Sequence, residues 1–303
     1  MRKFDSRNFT VEAINFLQTT LKQQGFEKVV LGLSGGVDSA TMVVLAVKAL
    51  GPKNVIVALM PYLGLPGKDE RKVGLERDEL KMVKELNISM EDLFFGPVNF
   101  VVDKIDFALN LKGLKEYDGS GDLPGAGYSR KEVKIDQKEY RVRKGNVMAR
   151  VRMIFLFDLA KEKNALVLGT MNKSEYLLGY FTRYGDEAAD IELIQTLYKT
   201  EVYQLAGYLG VPKEIIEKSP SAELWPGQTD EGEIGVPYSI IDKVLYYRVE
   251  IGFSEGKTFQ SSGITPEDQK KVLTYRNKSL FKHKVPYILE APFVFSWKVV
   301  SDE

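Results

Sequence analysis

The sequence predicts an α/β fold, a doubly wound and mostly parallel sheet with helices on both faces, and three observations carry that prediction. Strand-like apolar segments at 28–33, 55–60 and 165–169 alternate with stripes of apolar residues at helical spacing. Parallel strands need a crossover helix between them, and such strand–helix–strand units wind into a sheet covered on both sides. The composition, 44% hydrophobic and 28% charged, is that of a globular chain with a real core.

Val11, Ile14, Leu17 and Leu21 recur at helical spacing and Gly25 follows as a stop, which predicts a helix over 8–24. The strand at 28–33 comes next, then an apolar helix over 40–50 closed by Gly51-Pro52, then the strand at 55–60. Residues 112–145 break this rhythm. Gly119, Gly121, Gly125 and Gly127 cluster there with charged residues, and the segment reads as a loop inserted into a single domain spanning 1–303. Within it Val133, Ile135, Tyr140 and Val142 alternate around 136–139, the pattern of a small hairpin. Val151, Ile154, Phe155 and Leu159 make the next helical stripe, ahead of the strand at 165–169. Val202, Leu205, Ala206 and Leu209 mark a helix ended by Gly210, which can turn left-handed, and Pro212, which lacks an N–H. Stripes around 240–245 and 272–275 predict two closing helices.

Lys plus Arg number 42 and Asp plus Glu number 42, so no long-range positive field gathers nucleic acid, and none is expected as a partner. Zero cysteines remove disulfides, thiolate metal sites, iron–sulfur clusters and any cysteine nucleophile. Asp5 interrupts any signal-peptide core, and apolar stretches such as 42–47 and 291–295 fall short of the roughly 20 residues of a membrane span. A cytoplasmic protein with no membrane partner is expected.

The chemistry is concentrated between the first strand and its helix, in Gly32-Leu33-Ser34-Gly35-Gly36-Val37-Asp38-Ser39. Adjacent glycines let the backbone approach a bound group, and the following helix points unpaired N–H groups and about half a positive charge at that place. Ser34 and Ser39 add hydroxyls; Asp38 would repel a phosphate unless a divalent cation, magnesium by its preference for hard oxygen ligands, sat between them. A plain helix cap is the bland alternative. No lysine follows the glycines as it does in a Walker-type loop.

Ser34-Gly35-Gly36-Val37-Asp38-Ser39 resembles the Ser-Gly-Gly-x-Asp-Ser signature of the N-type ATP pyrophosphatases, which cut ATP between its α and β phosphates. The resemblance implies the adenine nucleotide alpha hydrolase-like version of the fold. Further stretches narrow it: Gly145-Asn146-Val147-Met148-Ala149-Arg150, Leu168-Gly169-Thr170-Met171-Asn172-Lys173-Ser174-Glu175, and Gly179-Tyr180-Phe181-Thr182-Arg183-Tyr184-Gly185-Asp186 through Asp190. Leu197-Tyr198-Lys199-Thr200, Pro220-Ser221-Ala222-Glu223-Leu224, Gly227-Gln228-Thr229-Asp230-Glu231 and His283-Lys284-Val285-Pro286 follow in order. Together they resemble the ammonia-dependent NAD synthetases over most of 29–60, 144–240 and 281–286.

The resemblance implies an ATP site made of Gly32, Leu33, Ser34, Gly35, Gly36, Val37, Asp38, Ser39, Thr170, Lys199 and Ser221. It assigns magnesium to Asp38 and Glu175, and catalysis to Asp38, Glu175 and Lys199. It places nicotinic acid adenine dinucleotide (deamido-NAD) against Arg150, Arg183, Asp190, His283 and Lys284. Many relatives carry lysine where this chain has Arg183, so a forked guanidinium replaces a point charge. The implied reaction adenylates the pyridine carboxylate with ATP, releases pyrophosphate, and lets ammonia displace AMP to give NAD. No residue stands out as the base that keeps ammonia unprotonated. Without a cysteine to release ammonia from glutamine, free ammonia is the expected donor, and the family's homodimers, with the dinucleotide near the subunit interface, imply a homodimer here. Two alternatives stay open on the residues: adenylation of another carboxylate or nucleotide, and an ATP-binding regulatory module without transfer. The joint presence of Asp38, Glu175 and Lys199 argues against the second.

Overall fold

The fold is seen in a computed structural model that describes residues 2–62, 78–109, 116–117, 130–131, 136–221 and 228–287. Its strands are β1 (Lys28–Gly32), β2 (Val55–Leu59), β3 (Leu93–Phe95), β4 (Glu116–Tyr117), β5 (Arg130–Lys131) and β6 (Ala165–Val167). Its helices are α1 (Ser6–Gln24), α2 (Val37–Leu50), α3 (Asp78–Glu85), α4 (Asn99–Ala108), α5 (Gln137–Lys163), α6 (Lys173–Leu178), α7 (Lys199–Leu209), α8 (Lys213–Ile216), α9 (Asp230–Ile234), α10 (Tyr238–Val244), α11 (Glu255–Ser262) and α12 (Pro266–Ser279).

The main sheet is parallel throughout, in the order β3-β2-β1-β6, with Val30 opposite Ile56 on one side and Val167 on the other. Because side chains alternate along a strand, Val29 and Leu31 pack with Val55, Val57 and Leu59 against α1, α2 and α7. Val30, Ile56 and Ala58 face the opposite way, onto Val98 and Val102 of the α4 region and Met148, Val151 and Leu159 of α5. Helices therefore cover both faces, as the strand pattern predicts. A third apolar cluster, with Leu178, Tyr198, Tyr238, Ile241, Val244 and Val272, seats α10 and α12 against α6 and the start of α7.

The local signals explain the boundaries. Asp5 caps α1 by accepting from the N–H groups of Arg7 and Asn8, and Gly25 ends it at φ 75°. Gly210 ends α7 the same way at φ 80°. Helix α2 begins at Val37, earlier than the apolar block suggests, so Asp38 and Ser39 lie in its first turn. None of the described helices is long and apolar enough to cross a membrane.

The segment 112–145 differs from its sequence reading. Val133 and Ile135 lie outside the described residues, but Tyr140 and Val142 belong to α5, not to a hairpin. Asp136 accepts from the N–H of Lys138 and caps that helix, and the Tyr140 hydroxyl donates to Asp106 of α4 at 2.8 Å. Period-two alternation over so short a stretch loses to an N-cap backed by tertiary contact. The described strand pairing in this region is the two-residue antiparallel match of β4 with β5.

Candidate active site

Three helix starts converge beyond the carboxyl ends of the strands, where an open α/β sheet takes its ligands. Asp38 is in the first turn of α2, Glu175 in the first turn of α6, and Lys199 is the first residue of α7. The Lys199 ammonium, only 3% exposed, donates to Asp38 Oδ2 at 2.5 Å and to Glu175 Oε1 at 3.2 Å. Burial alone would push Lys199 down, but the two carboxylates hold it above the ordinary lysine range. Burial pushes Glu175 up, with the charges of Asp38 and Asp230 adding and Lys199 opposing.

Asn172 ties the acids together. Its amide nitrogen donates to Asp38 Oδ1 at 3.0 Å, while its carbonyl accepts the N–H of Glu175 at 3.0 Å. Glu175 Oε2 returns to the Asn172 N–H at 3.4 Å, closing a capping box at the start of α6. Lys199 is fixed from behind. Its N–H donates to Ser174 Oγ at 2.9 Å, Ser174 donates to Asp242 Oδ1, and Asp242 Oδ2 accepts the Thr200 N–H at 2.8 Å. Asp242 is wholly buried; burial pushes it up to about 6 against these hydrogen bonds. The sequence reading missed the role of Asn172, for which the Asn-x-x-Glu spacing of a capping box was an available signal, whereas nothing local to 242 points at α7.

The glycine loop braces itself. The Ser34 N–H donates to Ser39 Oγ at 3.2 Å, the Gly36 N–H to Ser34 Oγ at 3.3 Å, and Ser39 Oγ to the Gly36 carbonyl at 3.1 Å. Both serines thus shape the turn, and Leu33 anchors it by donating to the Ala58 carbonyl at 2.9 Å. Among the described residues no hydrogen bond engages the N–H groups of Gly35, Val37 and Asp38. Those groups, at the positive end of α2, suit an anion. Gly35 has φ +83°, and a Cβ there would lie 2.2 Å from Glu79 Oε1 of α3. Left-handed backbone costs a non-glycine residue about 1–2 kcal/mol. A substituted loop is expected to relax out of this conformation and to meet that cost again on binding ATP, so Gly35→Ala should raise the ATP concentration for half-maximal turnover about tenfold with little change in melting temperature; an unchanged ATP requirement would mean that the loop conformation does not matter.

The other residues singled out in the sequence divide into groups. Thr170 follows β6, half-buried, and Ser221 follows α8 next to Pro220, whose carbonyl accepts the Asp230 N–H at 3.1 Å. Residues 222–227 lie outside the described residues. Arg150, exposed on α5, donates to the Arg183 carbonyl at 3.2 Å, and the Arg183 guanidinium stacks 5.1 Å from the Phe281 ring. His283 is a packing residue in this structure: its ring meets Tyr176 and Phe181 edge-on, and Nε2 lies 2.5 Å from the Tyr176 carbonyl. Lys284 is exposed. Asp190 lies apart from Asp38, Glu175 and Lys199, accepting the Val167 N–H on the β6 edge and lining a hollow with Phe26, Phe157 and Lys161.

Glu192 escaped the sequence reading. It lies on the segment that continues the sheet through the Leu168–Ile191 bridge, filling space that a side chain on Gly169 would take. Both carboxylate oxygens are buried without a hydrogen bond of normal geometry. Burial pushes the carboxyl up to about 8, the Met171 N–H opposing and the Glu175 charge adding. Since the folded chain holds this proton more tightly than the unfolded one, stability falls as pH rises from the ordinary carboxylate range to about 8. Glu192→Gln is expected to raise the melting temperature several degrees more at pH 9 than at pH 5. An equal effect at both values would show that Glu192 is not the titrating group.

The chain matches the family model described as NAD synthase over residues 9–104 and 125–286. It belongs to the NAD synthase family. Among relatives, the NH(3)-dependent NAD(+) synthetase of Thermococcus sibiricus is 35% identical across 94% of this chain and 98% of its own length. That of Chlorobaculum parvum is 39% identical across 91% and 86%. Among solved structures, NMN synthetase from Francisella tularensis superposes with a TM-score of 0.73 at 29% identity, covering 95% of this chain and all of its own. The NH3-dependent NAD synthetase from Campylobacter jejuni gives 0.68 at 30% identity, with the same coverage. The family segments bracket every charged residue of the Asp38–Glu175–Lys199 cluster.

Proposed function

We propose that this NAD synthase family member amidates deamido-NAD to NAD with free ammonia, consuming ATP and releasing AMP and pyrophosphate. The observation that carries the reading is the meeting of Asp38, Glu175 and Lys199 at three helix starts, beside a glycine turn with unengaged N–H groups. The donor set fits magnesium. Two carboxylates already share one cationic atom, and the burial that raises Glu175 is what a second cation would relieve. Magnesium bound there supplies positive charge against the triphosphate.

The protein's own groups position and neutralise. The Gly35, Val37 and Asp38 N–H groups cradle phosphate oxygens, and Lys199 balances the pyrophosphate as it departs, a donor of this kind contributing on the order of 3 kcal/mol to the transition state. A carboxylate oxygen of the acceptor attacks the α-phosphorus, the α–β bridging bond breaks, and the acyl-adenylate carries a carbonyl that ammonia can attack. Collapse of that adduct expels AMP and leaves the amide. Thr170 and Ser221 complete the nucleotide site in this reading.

The acceptor residues fit a site completed by a second copy of the chain. Arg150, Ile154 and Phe157 follow one another along α5 at helical spacing, all exposed, and α4 exposes Phe100 and Phe107 beside it. A partner covering these aromatic groups would enclose Arg150 and the hollow that holds Asp190. A homodimer is therefore expected by light scattering at assay concentration, and a monomer there would remove the shared site.

The deciding assay measures pyrophosphate and amide formed from ATP with deamido-NAD, with ammonium, with glutamine or with neither. Amide formation with ammonium but not glutamine is expected. Because an NMN synthetase shares the fold, the mononucleotide acid is run beside the dinucleotide. Preference for the mononucleotide would overturn the acceptor assignment while leaving the chemistry.

A further inference from the structure

Asp230 has no part in the reaction as written, yet it borders the charged cluster. Its side chain is 3% exposed. Tyr238 donates its hydroxyl to Oδ2 at 3.2 Å, while Oδ1 is buried and, although the Tyr180 hydroxyl comes near the carboxylate, receives no hydrogen bond of normal geometry. Tyr238, also buried, links Asp230 to the cluster, its ring centre lying 5.3 Å from Lys199 Nζ. The Asp230 charge is felt by both Lys199 and Glu175. Helix α9 holds it in place, with Thr229 as cap and the Asp230 N–H on the Pro220 carbonyl.

A buried acceptor oxygen without a donor is unfavourable, and its presence beside a charged cluster calls for an explanation. The reaction proposed above supplies one. In the structure Lys199 is occupied by Asp38 and Glu175. When those two turn to a divalent cation, the lysine loses both partners and would compete with the cation for them. We infer that Asp230 is a positioning residue for Lys199. Its free Oδ1 takes up the ammonium when Asp38 and Glu175 are drawn to the cation that accompanies ATP, and it keeps Lys199 beside the phosphates. Asp230 is not a third metal ligand in this scheme: among the described residues no three acidic or imidazole side chains are arranged to hold a metal ion, and Tyr238 already occupies Oδ2.

The inference rests on the ATP-site reading, and the test separates the two. Magnesium–ATP is titrated calorimetrically, without acceptor, into the full-length protein and into Asp230→Asn, Tyr238→Phe and Lys199→Met. Melting temperatures are taken without ligand. Asp230→Asn is expected to bind magnesium–ATP about tenfold more weakly while its ligand-free melting temperature holds or rises. Tyr238→Phe keeps the charge and loses only the tether, so a two- to threefold weakening is expected. Wild-type affinity in Asp230→Asn overturns the inference, and so does wild-type affinity in Tyr238→Phe should the asparagine variant fail to fold. Lys199→Met is the control. If it too binds like the wild type, the ATP-site reading fails; if it alone binds weakly, only the role of Asp230 is lost.

Discussion

Lys199→Met is expected to lose both turnover and stability. The methionine fills similar space but leaves Asp38 and Glu175, 15% and 18% exposed, facing each other without the charge between them. Removing one partner from a largely buried ion cluster costs about 3 kcal/mol, enough to move the melting temperature of a chain this size by several degrees. Turnover is expected to fall about a hundredfold to a thousandfold, the usual consequence of removing a charge donor from a transition state. Added magnesium should restore part of the melting temperature and little of the rate, because a cation can separate the carboxylates but does not replace the lysine in the role proposed for it beside the departing pyrophosphate. Thermal melts with and without magnesium, beside a pyrophosphate-release assay, check both halves. A variant that melts and turns over like the wild type would show that the triad of charges is ornamental.

Asp38→Asn should lose the reaction and keep the fold. The amide matches the carboxylate in shape but offers one acceptor where the carboxylate offers two, so it serves Asn172 or Lys199 and not both, and Lys199 falls back on Glu175. Stability is expected to fall by about 2 kcal/mol, the loss of one hydrogen bond to a buried ammonium that Glu175 still pairs, and the chain still folds. The site loses one of its two anionic oxygen donors, and turnover should drop at least about a hundredfold, with a higher magnesium requirement. Kinetics across a magnesium series, with circular dichroism as the control for folding, tests this. Full activity would remove Asp38 from the metal assignment.

The fold was legible where the chain writes its own boundaries. The apolar strands, the glycine stops at 25 and 210, and the turn at 32–39 depend on residues close in sequence, and each reappears in the structure. Helix α5 was half hidden: its first two turns are charged, and Tyr140 is held through Asp106, a residue on another helix. The site shows the same division. Asp38, Glu175 and Lys199 sit in motifs, and the structure brings their charged atoms together. Asp242, Tyr238 and Glu192 act across long chain separations, through burial or a bond to a distant backbone. His283 shows the converse, a residue placed by resemblance whose ring is engaged in packing here.

Asn172 spends one end of its amide on the first turn of α6 and the other on Asp38. Local order and reactivity therefore share a single hinge-pin. Warming that frays this six-residue helix is expected to inactivate the protein before the sheet melts, with heat inactivation and amide exchange at Glu175 proceeding together, ahead of global unfolding.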